Sequence, residues 1–150
     1  MEALHIVYHM LPDSKKMYVN TIEVTNENTY NARTGRLTVS HFVVMKGNTS
    51  IAKAIVAHEA GHIQQNLWWY GRFNQLTVAL WALCFTVGFF YPTAFIYAII
   101  AIITNWLSVI IIEANASYRA YTWLKAQRCA NMKIVKKLYI DALFSYIKPF

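Results

Sequence analysis

FNQLTVALWALCFTVGFFYPTAFIYAIIAIITNWLSVIII, residues 73–112, runs for 40 positions without an Asp, Glu, Lys, Arg or His. A membrane-spanning helix needs about 20 mostly apolar residues, so the run is long enough for two. Tyr91-Pro92-Thr93 is the natural turn, with Gly88 just before it. The spans are read as residues 76–90 and 94–112. Trp68, Trp69, Tyr70, Tyr91 and Trp106 lie near their ends, roughly as an interfacial aromatic belt places them. The alternative is a helical hairpin buried in a soluble domain. A chain of 150 residues has little else with which to cover two such helices.

The rest of the composition agrees. The chain is 57% hydrophobic and 14% charged, against about 25% charged for an average soluble domain. So much apolar surface excludes disorder. Two cysteines exclude a disulfide framework, and Cys84 and Cys129 are read as free thiols. All 14 Lys and Arg lie outside the uncharged run, seven before it and seven after it, and the turn carries none. The positive-inside rule then places both termini in the cytoplasm of an integral membrane protein, expected in the cell membrane. Residues 1–20 hold no apolar core of signal-peptide length. The basic excess reads as a topology signal and a match to anionic lipid. Its scatter along the chain, with no recognisable module, argues against a nucleic-acid partner.

Residues 1–17 are mixed and give no clear element. YVNTIEVT (18–25) alternates and is rich in β-branched residues, as a strand is. NENTYNARTG (26–35) is a turn cluster, and RLTVS (36–40) is a second short strand that pairs with the first as a hairpin. Thr49 or Ser50 is the N-cap of a helix expected over 51–69, with Gly71 as its stop. Beyond the apolar run, residues 113–130 and 133–147 read as helices, the last amphipathic. One domain of residues 1–150 is expected: a β-hairpin region (1–49), a motif helix (50–72), a transmembrane hairpin (73–112) and C-terminal helices (113–150).

On the motif helix stands His58-Glu59-Ala60-Gly61-His62, an HExxH. Residues four apart share a helix face, so His58 and His62 can hold one Zn²⁺. Glu59 is placed to take a proton from a water whose pKa zinc lowers to about 7. Gly61 costs about 1 kcal/mol of helix stability relative to Ala, which points to a very close neighbour. A catalytic zinc needs a third protein ligand and an open position. After Glu59 the only acids are Glu113 and Asp141. Glu113 follows Ile110-Ile111-Ile112, where an ionised carboxylate is expensive unless paired or bound to metal. The hairpin returns it to the face it left, so it is the candidate third ligand. The competing reading is an interfacial ion pair with Arg119 or Arg72. His62 lies twelve residues before Asn74, about 18 Å of continuous helix. The chain must therefore break near Tyr70-Gly71, or the motif helix must lie along the membrane.

From Asn31 to Arg119 the sequence resembles the YugP-like membrane family of neutral zinc metallopeptidases. NARTGRLTVS (31–40) is similar to that family's turn and strand ending in Leu-Ser, and AHEAGHIQ (57–64) to its central AHExGHAxQ. EANAS (113–117), followed by Arg119-Ala120, resembles its EFDAS-x-R-A segment after the membrane spans. The chain departs from the pattern at Asn115, where an acid is common. Ser117 stands where related zincins carry an acid that orients a ligand histidine. The resemblance implies Glu113 as third zinc ligand.

The expected fold is α+β and predominantly helical, with a zincin-like motif helix. The expected function is a membrane-bound zinc metallopeptidase: one Zn²⁺ on His58, His62 and Glu113, Glu59 as general base, a peptide or protein substrate, and a lipid bilayer around it. The alternative is a non-catalytic membrane protein with a structural or vestigial metal site, which has no use for Glu59. By analogy with zincins, the strand at 36–40 is expected to hold an extended substrate by β-addition. His5, His9 and His41 read as surface or structural, and Asp141 as a solvated charge. Tyr118, Arg119 and Tyr121 are the candidates for oxyanion stabilisation, with nothing to choose among them.

Overall fold

The computed structural model describes residues 2–16, 19, 21–31, 34–65 and 68–147. Tyr18 and Asn20 of the expected first strand, Ala32 and Arg33 of the turn, Asn66 and Leu67 of the expected motif helix, and the Trp68 side chain lie outside that set. The chain is predominantly helical. It begins with α1 (Ala3–Met10) and α2 (Asp13–Lys16), followed by strands β1 (Thr21–Thr25), β2 (Thr29–Asn31) and β3 (Arg36–Ser40). Then come α3 (His41–Met45), α4 (Ser50–Gln64), α5 (Trp68–Gly88), α6 (Ala94–Gln127) and α7 (Met132–Ile147). It divides into two compact units: Met1–Asn66 with Glu113–Phe150, and Leu67–Ile112.

In the first unit the strands form a sheet in the order β1-β3-β2. The expected hairpin is not there. β1 pairs with β3 in parallel, Thr21 opposite Arg36 and Thr25 opposite Ser40. The turn cluster contains β2, which crosses to the far side of β3 and pairs with it antiparallel. Gly35, at φ 67°, closes that β2–β3 turn with its N–H on the Asn31 carbonyl. β3 is thus paired on both edges and offers none to a substrate, contrary to expectation. β2 is an outer strand.

α4 is buried along most of its length, since Ala52, Ala54, Val56, Ala57, Ala60 and Ile63 all face the core. Its alanines let neighbours come close. Thr49 is the N-cap, its Oγ1 accepting the Ala52 N–H at 3.2 Å, a contact worth about 1 kcal/mol. The core against α4 includes Ile6 and Val7 of α1, Leu37 and Val39 of β3, Val43 of α3, Leu124 of α6 and Val135 of α7. α7 and the connection that leads into it are tied along α4 by three bonds. The Asn131 N–H donates to Ser50 Oγ at 2.8 Å, buried Lys53 Nζ to the Cys129 carbonyl at 3.0 Å, and Tyr139 OH to the Ala54 carbonyl at 2.7 Å.

The break after the motif helix comes earlier than Gly71. α4 ends at Gln64, and Gln65 turns to extended backbone (φ −74°, ψ 141°). Tertiary contact sets that end: Gln64 Nε2 donates to the Met10 carbonyl of α1 at 2.8 Å. Gly71 sits inside α5 with open space around it.

In the second unit α5 and the first part of α6 pack against each other. Thr77 Oγ1 lies 3.3 Å from Asn105 Oδ1, and the Phe85 and Phe95 rings meet at 5.6 Å. The chain between them turns at residues 89–93. Among the described residues, one helix, α6, is long and apolar enough to cross a membrane. α5 carries Arg72, Asn74 and Gln75 in its first half, and its uninterrupted apolar stretch begins only after them. With no Gly or Pro between 94 and 127, α6 is unbroken from Ala94 to Gln127.

Candidate metal centre

His58 and His62 lie one turn apart on α4, their rings edge to face at 4.7 Å between centroids. Their Nε2 atoms are 3.1 Å apart. Glu113 of α6 faces both, with Oε2 3.1 Å from His58 Nε2 and Oε1 3.5 Å from His62 Nε2. All three ligand atoms fall within 4.8 Å of one another, the one such group among the described residues. The side chains are 12–19% exposed, so the cluster is sheltered but open on one side.

Gly61 explains how a carboxylate on another helix reaches them. A Cβ at this position would lie 2.6 Å from the Ala116 carbonyl oxygen and 3.0 Å from its Cα. The close neighbour that the glycine implied is therefore the α6 backbone. That contact sets Glu113 and Ser117, one on each side of Ala116, opposite the two histidines.

Each histidine has a partner behind it. Ser117, buried, places Oγ 3.1 Å from His58 Nδ1. A hydroxyl accepting from Nδ1–H leaves the Nε2 lone pair for a metal. The Gln65 side chain hydrogen-bonds His62. The Tyr139 ring packs 5.9 Å from that of His58. Two imidazole nitrogens and a carboxylate oxygen turned on one point could hold a metal ion.

Charge follows the geometry. Burial opposes ionisation of Glu113, but hydrogen bonds to His58 and His62 and their charges outweigh it and hold its carboxyl down to about 2. Burial likewise opposes a charged His62, yet its bond to Glu113, the charges of Glu113 and Glu59, and the Gln65 bond carry its pKa upward. Glu59 behaves oppositely. It is 7% exposed, and burial pushes its carboxyl up to about 7; the His62 charge and a Tyr30 backbone hydrogen bond work against that rise, while Glu113 adds to it. Tyr30 belongs to β2, so the outer strand lies against the general-base candidate.

Arg119 is engaged elsewhere than Glu113, bonding Asn115 Oδ1 at 2.9 Å and Gln64 Oε1 at 3.5 Å. His5, His9, His41 and Asp141 are exposed and stand outside the cluster. Of the oxyanion candidates, Tyr118 is 70% exposed. A residue not foreseen, Tyr146 of α7, lies near the site: burial and the charges of Glu113 and Glu59 push its phenol up. Its signal in the sequence was the spacing to Tyr139: seven residues, two helical turns, one face.

The chain matches no family model, no curated protein and no solved structure.

Proposed function

We propose that the chain is a membrane-integral zinc metallopeptidase that hydrolyses peptide bonds. His58, His62 and Glu113 hold one Zn²⁺, and Glu59 is the general base. The observation that carries the reading is the convergence of three ligand atoms within 4.8 Å, although Glu113 lies 51 residues beyond His62. A zinc ion held there supplies Lewis acidity and makes hydroxide available near neutral pH. Glu59 accepts the proton of the attacking water and returns it to the leaving amine. Burial raises the Glu59 carboxyl in the metal-free chain, and a dication held beside it works against that rise and favours the ionised base. In a purely structural site, a buried carboxylate beside the ligands has a cost and no task.

The HEAGH and EANAS segments, which resemble those of the YugP-like zinc metallopeptidases, support the same assignment. The outer edge of β2, next to Glu59, is where an extended peptide adds as a further strand. Residues 73–112 form a two-helix transmembrane hairpin. The exposure of Leu76, Leu83, Ile99, Ile103 and Ile111 supports that reading, since such side chains need lipid where protein does not cover them. The basic residues put the metal site and both termini on the cytoplasmic side.

The test is zinc content and peptide hydrolysis measured together on Glu59→Gln in the detergent-solubilised full chain. Zinc retained with hydrolysis lowered by about 10²–10⁴-fold is the expected result. Zinc and hydrolysis lost together would make Glu59 a ligand, and unchanged hydrolysis would remove it from the chemistry.

A further inference from the structure

We infer that a cleft between α6 and α7, floored by the residues that touch His58, is a specificity pocket for a large apolar side chain of the peptide substrate. The inference rests on the peptidase reading of the site and names the kind of residue that reading leaves open.

Every residue of the cleft belongs to the first unit. α6 contributes Ser117, Tyr118 and Tyr121, and α7 contributes Tyr139, Ile140 and Leu143. In both triplets the last residue stands four and three positions after the other two, so each triplet lines one helix face. Together they bound a cavity of about 360 Å³, inside the range of about 300–1,000 Å³ usual for small-ligand sites. Its floor is Ser117 and Tyr139, 5% and 7% exposed. Both touch His58: Ser117 Oγ lies 3.1 Å from Nδ1, and the Tyr139 ring centroid lies 5.9 Å from that of the imidazole. The Tyr139 hydroxyl donates to the Ala54 carbonyl at 2.7 Å. With both polar tips engaged, the floor offers aromatic and aliphatic surface.

The lining decides the chemistry of the occupant. Two further phenol rings and two branched aliphatic side chains form the walls. A charged side chain placed among them would lose its water with little in return, whereas an apolar one gains by leaving water. The one charged lining residue is Lys136, and it is exposed. Its stem lines the cavity while its ammonium stays in water. The mouth therefore opens on water, and the occupant arrives from solution. Position ties the cleft to the reaction. Ala114, also part of the lining, directly follows Glu113, and the floor rests on His58. A pocket bounded by two of the three proposed ligands takes the side chain of a residue close to the bond being cut.

The experiment measures kcat/KM of the zinc-loaded full chain in detergent on quenched fluorescent peptides. They share one Ala-Ser sequence in which a single position, moved along the peptide, carries Ala, Leu or Phe. Wild type should favour Leu or Phe over Ala by about 10-fold or more at one position beside the cleaved bond. Ala114→Phe fills the cavity and should abolish that preference. Leu143→Ala enlarges it and should shift the preference from Leu towards Phe. Ile134→Ala, an exposed apolar residue of α7 outside the cavity, should keep the wild-type ratios. Zinc content is measured on each variant, and if Ala114→Phe fails to hold zinc, Leu143→Ala carries the test. Cleavage without side-chain preference, or a preference unchanged in the cavity variants, would overturn the inference and leave the peptidase reading standing. Loss of the preference in Ile134→Ala as well would overturn it as non-specific. A zinc-loaded wild type that cleaves none of the peptides would overturn the peptidase reading, and the role of the pocket with it.

Discussion

Glu59 couples the chemistry to the stability of the metal-free protein. Its folded carboxyl titrates at about 7 against an ordinary 4.5, so the folded state holds the proton more tightly than the unfolded state does. The stability this lends is complete below pH 4.5 and is lost as pH rises through about 7. In chelator, the melting temperature of wild type should therefore fall relative to Glu59→Gln across that window, because the amide does not titrate. Parallel profiles would mean that Glu59 is solvated. Ser117→Ala removes the acceptor on His58 Nδ1. Zinc affinity should drop by about 10–100-fold, measured by competition with a chromophoric chelator, with circular dichroism unchanged. An unaltered affinity would leave Ser117 with packing alone. At this scale the grouping of His58, His62 and Glu113 was legible for physical reasons. His58 and His62 have helix spacing, Glu59 stands beside them, and Glu113 is one of two acids left in a chain short of them. Gln65 was not legible as a partner of His62, because the end of α4 at Gln64 is set by a contact with α1.

At the scale of elements, the crossing of α4 and α6 decides whether the ligands meet. Gly61→Ala drives a methyl group into the Ala116 backbone. Such overpacking costs about 1–3 kcal/mol, and because it parts the two helices it should also weaken zinc binding. Gly71→Ala is the matched control: it lies in α5 with nothing within 4 Å, where Ala is favoured over Gly by up to about 1 kcal/mol. Thermal unfolding of the two variants should move in opposite directions, and a neutral Gly61→Ala would contradict the close crossing. The helices were read well where periodicity or a long apolar run marked them. The strands were read less well. β2 lies in Thr-Tyr-Asn within a segment of turn residues, and its strand character comes from pairing with β3. The parallel pairing of β1 depends on a crossover that local pattern does not encode. α1 was missed because ALHIVYHM mixes polar and apolar positions, and its core contacts at Ile6 and Val7 make it a helix in context.

Over the whole molecule, the distribution of charge and apolar surface is what supports the proposed topology. All Lys and Arg flank residues 73–112, and the Tyr91–Thr93 turn has none. A cysteine introduced at Thr93, with Cys84 and Cys129 replaced by serine, should be labelled from outside intact cells by a membrane-impermeant thiol reagent. Labelling only after permeabilisation would reverse the orientation. Zinc content tests the central claim most directly. The full chain, purified in detergent without chelator, should carry one Zn²⁺, and Glu113→Gln and His58→Ala should each lose it, since a neutral amide or a methyl group cannot replace the missing ligand. A Glu113→Gln protein that retains zinc at wild-type stoichiometry would show that the third ligand is not Glu113, and the site drawn from α4 and α6 would be wrong.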